Sequence, residues 1–342
     1  MSVNEASNSK MIKITAIDTH VAGEPLRIIK EGFPEIQGKT MLEKRKYARK
    51  FFDHLRTALM WEPRGHADMY GCIITEPVTS DGDIGVLFMH NEGFSTMCGH
   101  GIIGLATTAV ETELISLKNN EPMIKIDTPA GRVTAKVSIE NNRVQKVSFT
   151  NVPSFVYSMD EEVDVPGFGL IRYDIAFGGA FYAICHSEKL GLNLIPQNFQ
   201  LLVHTGRAIK HAVIEHKSIQ HPFEEDMGFL YGTIFVAPSA EKDSHSRNVC
   251  VFADGEIDRS PTGTGVSARA ALHYTRGELE IGEKFKVESI LGTSFTGWVV
   301  EETKFGPYNA VIPEIEGSAY ITGVNDFLID PKDPLRYGFL LR

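Results

Sequence analysis

At 342 residues, with 42% hydrophobic and 23% charged side chains, the chain has the make-up of a globular protein with room for two domains of ordinary size. A net charge of −10 without a basic stripe argues against a nucleic-acid partner, and the longest apolar run, Gly101–Val110, is about half the length a membrane helix needs. Residues 1–10 are polar and lack the apolar core of a secretory signal, so the irregularly spaced Cys72, Cys98, Cys185 and Cys250 read as reduced thiols in a cytoplasmic protein.

In chain order, the first predicted strand is Ile12–Ile17, followed by a helix over Met41–Leu59 with its apolar residues on roughly one face. Strands at Gly71–Ile74 and Ile84–Met89 lead to Met97-Cys98-Gly99-His100-Gly101, which opens a run apolar on every side. Strands at Met123–Ile126, Arg132–Ile139 and Val144–Phe149 precede an acid-rich stretch of low apolar density, Pro153–Pro166, read as the change of domain. Beyond it come a strand at Phe181–Cys185, a helix over Gln197–His216, and strands at Thr233–Val236 and Val249–Phe252. A second helix-opening motif, Pro261-Thr262-Gly263-Thr264-Gly265, is followed by strands at Phe285–Glu288, Gly297–Val300 and Ala319–Thr322. Most strands are too close in sequence for helical crossovers, which favours antiparallel pairing. A helix apolar all round is buried all round. The expected architecture is therefore mixed α/β (α+β): a curved, mostly antiparallel sheet around one central helix, built twice. The domains are placed at 11–157 and 158–324, with the tail 325–342 as a candidate to complete the first.

An internal repeat supports the duplication. Aligning Cys98 with Thr262 sets Val86–Met89 against Cys250–Ala253, His90 against Asp254 and Glu92 against Glu256. The order strand, loop, Gly-x-Gly, helix, strand is common to both halves.

The two motifs differ at the residue that carries chemistry. A cysteine at a helix N-terminus faces unpaired N–H groups and the positive end of the dipole, which lower its pKa from about 8.5 toward neutral. Cys98 is thus a candidate base or nucleophile, and a threonine hydroxyl at position 262 is not. The same N–H groups, approached closely because Gly99 and Gly263 carry no side chain, form an anion site. Two facing helix starts would clamp one small anion from both sides. Asp258, in the loop before Thr262, is a candidate partner for a substrate amine, with a capping aspartate as the alternative. Gly99-x-Gly101-x-x-Gly104 formally matches a dinucleotide fingerprint, but His90–Met97 separates the strand from the glycines. Cys98 and His100 as zinc ligands lack a second Cys/His pair. Cys72, Cys185 and Cys250 read as core residues, and His20, His66 and His90 are not distinguished from structural histidines.

Four segments carry a resemblance to the proline racemase family: Asp18-Thr-His-Val-Ala-Gly-Glu-Pro25, His90-Asn-Glu-Gly-Phe-Ser-Thr-Met-Cys-Gly-His-Gly101, Phe177-Gly-Gly-Ala-Phe-Tyr182 and Asp258-Arg-Ser-Pro-Thr-Gly-Thr-Gly265. The resemblance spans roughly Ile14 to Thr322. It implies a diaminopimelate-epimerase-like fold, two similar domains with the active site in the cleft between them. It also implies cofactor-independent chemistry with no metal. Racemases of this family use a cysteine from each motif. Here Cys98 is kept and Thr262 replaces the second, a departure that resembles the branch that dehydrates trans-3-hydroxy-L-proline, as does Trp61-Glu-Pro-Arg-Gly-His-Ala-Asp-Met-Tyr70. Carried over by position, Cys98 and Thr262 are the catalytic positions, and Gly99, His100, Asp258, Gly263 and Thr264 hold a small imino-acid substrate. The reaction implied is β-elimination of water to Δ1-pyrroline-2-carboxylate. The alternatives are a proline racemase or 4-hydroxyproline 2-epimerase, and a non-catalytic amino-acid-binding protein. A homodimer is the base-rate expectation for assembly.

Overall fold

The computed structural model describes residues 10–115, 123–141, 143–239 and 241–341; most of the polar leader read above as lacking a signal lies outside them. The first half runs β1 (Ile12–Val21), β2 (Glu24–Glu31), α1 (Met41–Phe51), α2 (Asp53–Met60), β3 (Tyr70–Thr75), β4 (Ile84–His90), α3 (Gly99–Glu111), β5 (Met123–Thr128), β6 (Gly131–Glu140) and β7 (Arg143–Thr150). The second runs β8 (Ser154–Val165), β9 (Gly169–Phe177), β10 (Phe181–His186), α4 (Phe199–His216), β11 (Leu230–Ala237), β12 (Ser246–Phe252), the short β13 (Glu256–Ile257), α5 (Gly263–Thr275), β14 (Phe285–Glu288), β15 (Ser294–Phe305) and β16 (Tyr308–Gly317). The last strand, β17 (Ala319–Ile329), returns to pair with β1 along its whole length.

The pairing pattern is the same in both halves. β1–β2, β3–β4, β5–β6 and β6–β7 are antiparallel, as are β9–β10, β11–β12, β14–β15 and β15–β16. The parallel pairs β2–β3 and β4–β5 answer to β10–β11 and β12–β14. β17 flanks β1 as β8 flanks β9. Pairing is thus mostly antiparallel, with one correction. Wherever α1 and α2, α3, α4 or α5 intervenes, the connection is long enough for a crossover and the flanking strands run parallel. The halves are joined where β16 pairs β7, Glu314–Gly317 against Val147–Thr150.

Both central helices are enclosed. α3 is buried from Gly99 to Ala109 and α5 from Gly263 to Leu272. Ile102, Ile103 and Leu105 are fully buried, each worth about 1.5–3 kcal/mol relative to exposure. β4 shows why its sequence is continuously apolar: Val86 and Phe88 face the main core, Leu87 and Met89 a second cluster under α1 and α2.

Two further segments differ from the sequence reading. Met41–Leu59 is two helices, broken at Phe52 (φ −125°, ψ 13°), whose ring packs edge-on against Phe33 and Tyr47. The acid-rich stretch read as a domain junction is strand β8, whose irregular register with β9 accommodates Asp160 at φ 58°.

Candidate active site

The N-termini of α3 and α5 converge backbone to backbone. A Cβ built on Gly99 would stand 2.6 Å from Gly263 Cα, and one on Gly263 would stand 2.8 Å from Gly99 Cα. Phe149 of β7 lies against both glycines. The first N–H groups of a helix have no intrahelical partner, so both helices aim unpaired donors and the positive ends of their dipoles at one point.

Around that point is a cavity of about 20 Å³, and Cys98, Gly99, His100, Asp258, Thr262, Gly263 and Thr264 all line it. All seven are buried. The chamber has room for about one water molecule. A ring bearing a carboxylate enters only when the walls move apart. His20 and His66 lie elsewhere, the first stacked on Tyr320 and the second bonded to the Ala67 carbonyl.

The two motifs start their helices differently. Cys98 is extended (φ −146°, ψ 111°), and its Sγ caps α3 by accepting the Gly101 N–H at 3.2 Å. Thr262 sits at φ 65°, a strained backbone for a β-branched residue, and its side chain caps nothing. Its Oγ1 is buried without a hydrogen bond, although the Asp258 carboxyl and the Cys250 thiol lie beside it.

The electrostatics correct one expectation. Burial pushes the Cys98 thiol well above its ordinary pKa. The Gly101 N–H works against that, while negative charge on Asp258 and Glu24 adds to it. The helix terminus alone therefore does not make a thiolate at rest. His100 Nδ1 lies 3.2 Å from Cys98 Sγ. Burial lowers that imidazole to about 3, against a bond to the Pro25 backbone, so the ring is neutral. Burial raises Asp258 to about 6, despite the Ser260 N–H donated to its Oδ1 at 2.7 Å. Asp258 thus changes charge just below neutral pH.

Several residues that sequence reasoning did not assign complete the walls. Tyr182 shares a 2.6 Å hydrogen bond with Thr264 Oγ1. Tyr70 bonds Ser95 at 2.6 Å and, across the halves, Tyr231 at 3.2 Å. Met97 and Phe252 add apolar surface, and Cys250, read as a core thiol, is buried but faces the cavity. Tyr70 and Tyr182 end two of the segments that carried the resemblance, which was the available signal. Nothing marked Tyr231 or Cys250. Outside the cavity, His90 Nδ1 meets Glu256 Oε1 at 2.8 Å, and the Glu92 N–H donates to the same oxygen, so the repeat-related Glu92 and Glu256 meet at the joint.

A converging pair of helix N-termini attracts a carboxylate, and an ionised Asp258 attracts an ammonium. Both poles stand within one small chamber beside a thiol. The arrangement is complementary to a small α-amino or imino acid zwitterion.

Known proteins resemble this chain over nearly its whole length. The proline racemase family profile matches residues 16–340. A protein of Colwellia psychrerythraea named trans-3-hydroxy-L-proline dehydratase is 48% identical over 331 residues, 97% of this chain and 93% of that one. A Clostridioides difficile protein named proline racemase is 44% identical over 329 residues, covering 96% and 98%. The crystal structure of a hydroxyproline epimerase from Agrobacterium vitis, with bound trans-4-hydroxy-L-proline, superposes with a TM-score of 0.90 at 29% identity, covering 96% of each chain.

Proposed function

Because the chain belongs to the proline racemase family, we propose that it is a cofactor-independent hydro-lyase that converts trans-3-hydroxy-L-proline to Δ1-pyrroline-2-carboxylate. The observation that carries this reading is the asymmetry of the helix starts: a thiol beside a neutral imidazole on one face, a threonine hydroxyl on the other. The relative from Colwellia psychrerythraea and its name support it.

In this reading the substrate carboxylate sits between the helix N-termini at Gly99, His100, Gly263 and Thr264, and its ammonium meets Asp258. The two halves, the first completed by β17 and the second beginning at β8, close over it. Cys98 gives up its proton to solvent before the halves close, favoured as the substrate cation offsets the negative charge of Asp258. The thiolate then takes the α-proton. The C–H electron pair becomes the C2–C3 double bond as the C3–O bond breaks. The α-hydrogen and the 3-hydroxyl lie on one side of this ring, so the new Cys98 thiol can protonate the departing hydroxyl as water. The enamine formed tautomerises to the cyclic imine. The helix N-termini accelerate the step only through the extra charge that reaches the carboxylate as the α-proton leaves. Thr262 fills the opposite face.

NMR of the protein in D₂O with L-proline, trans-4-hydroxy-L-proline and trans-3-hydroxy-L-proline tests the reading. Imine from the 3-hydroxy compound alone is expected. Inversion at the α-carbon of either other substrate would favour the racemase or epimerase reading, for which the Clostridioides difficile relative speaks. Thr262→Cys is expected to introduce measurable α-deuteration or inversion of L-proline, and its absence would mean that position 262 does not face the α-carbon.

Asp258 sets a further expectation. Below pH about 6 its carboxyl is neutral and no longer attracts an ammonium, so kcat/KM is expected to rise with pH through about 6 and then level. Asp258→Asn should raise KM and erase that limb. A limb that survives the substitution would assign it to another group.

A further inference from the structure

Glu24, the first residue of β2, is fully buried and does not line the cavity, yet it reaches across the joint between the halves. Its Oε2 accepts the backbone N–H of Arg259 at 2.7 Å and Arg259 Nη1 at 3.3 Å, and that Nη1 also donates to the Asp68 carbonyl at 2.9 Å. Its Oε1 is buried with no hydrogen bond. Arg259 directly follows Asp258, and the next residue, Ser260, holds the Asp258 carboxyl. The loop that brings Asp258 to the chamber from the second half is therefore gripped at its backbone by a carboxyl of the first.

Such a residue is not explained by stability alone. A buried carboxyl with one oxygen unpartnered is destabilising next to an apolar side chain of similar size. A grip on a backbone N–H fixes the position of a segment more narrowly than a contact between two flexible side chains. Among the described residues, Asp258, Arg259 and the thiols of Cys98 and Cys250 share an electrostatic interaction with Glu24.

We propose that Glu24 is a positioning residue: by holding the Arg259 N–H across the joint it sets Asp258 at the chamber wall, so that the substrate amine finds its partner only when the halves are together. The inference rests on the role proposed above for Asp258.

The test compares Glu24→Ala, which removes the acceptor, with Glu24→Gln, which keeps an acceptor oxygen and removes the acid. For Glu24→Ala, KM for trans-3-hydroxy-L-proline is expected to rise about tenfold or more with kcat changed less than about threefold, the pattern of lost binding that is uniform between ground and transition states. The acid limb of kcat/KM should move to lower pH as a loosened Asp258 gains water. Glu24→Gln should recover KM to within about threefold and return the limb toward its original position. An alanine variant with unchanged KM and limb overturns the proposal, and so does a glutamine variant as impaired as alanine, because charge rather than grip would then be at work. If Glu24→Ala does not fold, Glu24→Asp, which retracts the acceptor by one carbon, should raise KM about threefold or more, and an unchanged KM overturns the proposal equally. Calorimetric binding of L-proline, which has no 3-hydroxyl to lose, separates the two readings. It should weaken about tenfold in the alanine variant whether or not the protein dehydrates anything, and unchanged binding rejects the role of Glu24.

Discussion

Replacing Cys98 with serine is expected to lower turnover of trans-3-hydroxy-L-proline by about 10²–10⁴-fold, the range that a positioned general base contributes. Serine fits the same space, and its hydroxyl can still accept the Gly101 N–H that now caps on sulfur at 3.2 Å. The fold and the helix start should therefore persist. What is lost is the acidity: a buried alkyl hydroxyl beside a neutral His100 gives no usable alkoxide, whereas a buried thiol gives a thiolate once a substrate cation sits at Asp258. The readouts are imine formation by NMR and binding of L-proline by calorimetry. Lost turnover with binding within about threefold of wild type is the expected pair, since the helix donors and Asp258 are intact. Turnover near wild type would remove Cys98 from the base role.

Gly99→Ala is the second large effect. Its Cβ would stand 2.6 Å from Gly263 Cα and 2.9 Å from the Gly263 carbonyl carbon, and both of these are backbone atoms inside a buried helix start. No flexible side chain can yield, so the two helix N-termini must separate. Overpacking of this kind costs about 1–3 kcal/mol of stability. The catalytic cost is larger, because displacing converging groups by about 1 Å can lower rate about 10²-fold. The thermal midpoint and kcat/KM together check it. A variant with both at wild-type values would show that α3 and α5 do not meet at Gly99. Gly263→Ala, 2.8 Å from Gly99 Cα, should behave alike.

The parts of the fold that were legible in the sequence are those in which local pattern and tertiary burial agree. The runs after Cys98 and Thr262 are apolar on all sides because both helices are enclosed by their own sheets. Most strands were visible because Gly, Pro, Asn or Asp bounds them. β2 was missed because Glu24, Pro25, Arg27 and Lys30 interrupt its apolar residues; Arg27 is charged yet buried, held by Asp18 at 2.9 Å. β8 was missed because its acidic residues face outward or pair with basic ones, as Glu161 does with Lys217 and Asp160 with Arg172. The candidate residues were marked by the duplicated motif, but their electrostatics were not. Helix-terminus reasoning brings the Cys98 pKa down, whereas burial, which no local pattern encodes, takes it up. Cys250 and Tyr231 come from strands far from either motif, and only the packing of the two halves brings them to the cavity wall.

The joint between the halves has two unlike sides. At β7 and β16 it is made of backbone, a ladder from Val147–Thr150 to Glu314–Gly317 that includes Phe149, the residue beneath both glycines. Above the chamber it is made of side chains: Tyr70 to Tyr231, His90 to Glu256, and Glu24 to Arg259. Parting the second side breaks contacts between side chains, whereas parting the first breaks a ladder of backbone hydrogen bonds. Phe149, in that ladder, touches both glycines, so the helix starts stand at the bound edge of the molecule and the Tyr70–Tyr231 pair at its loose one.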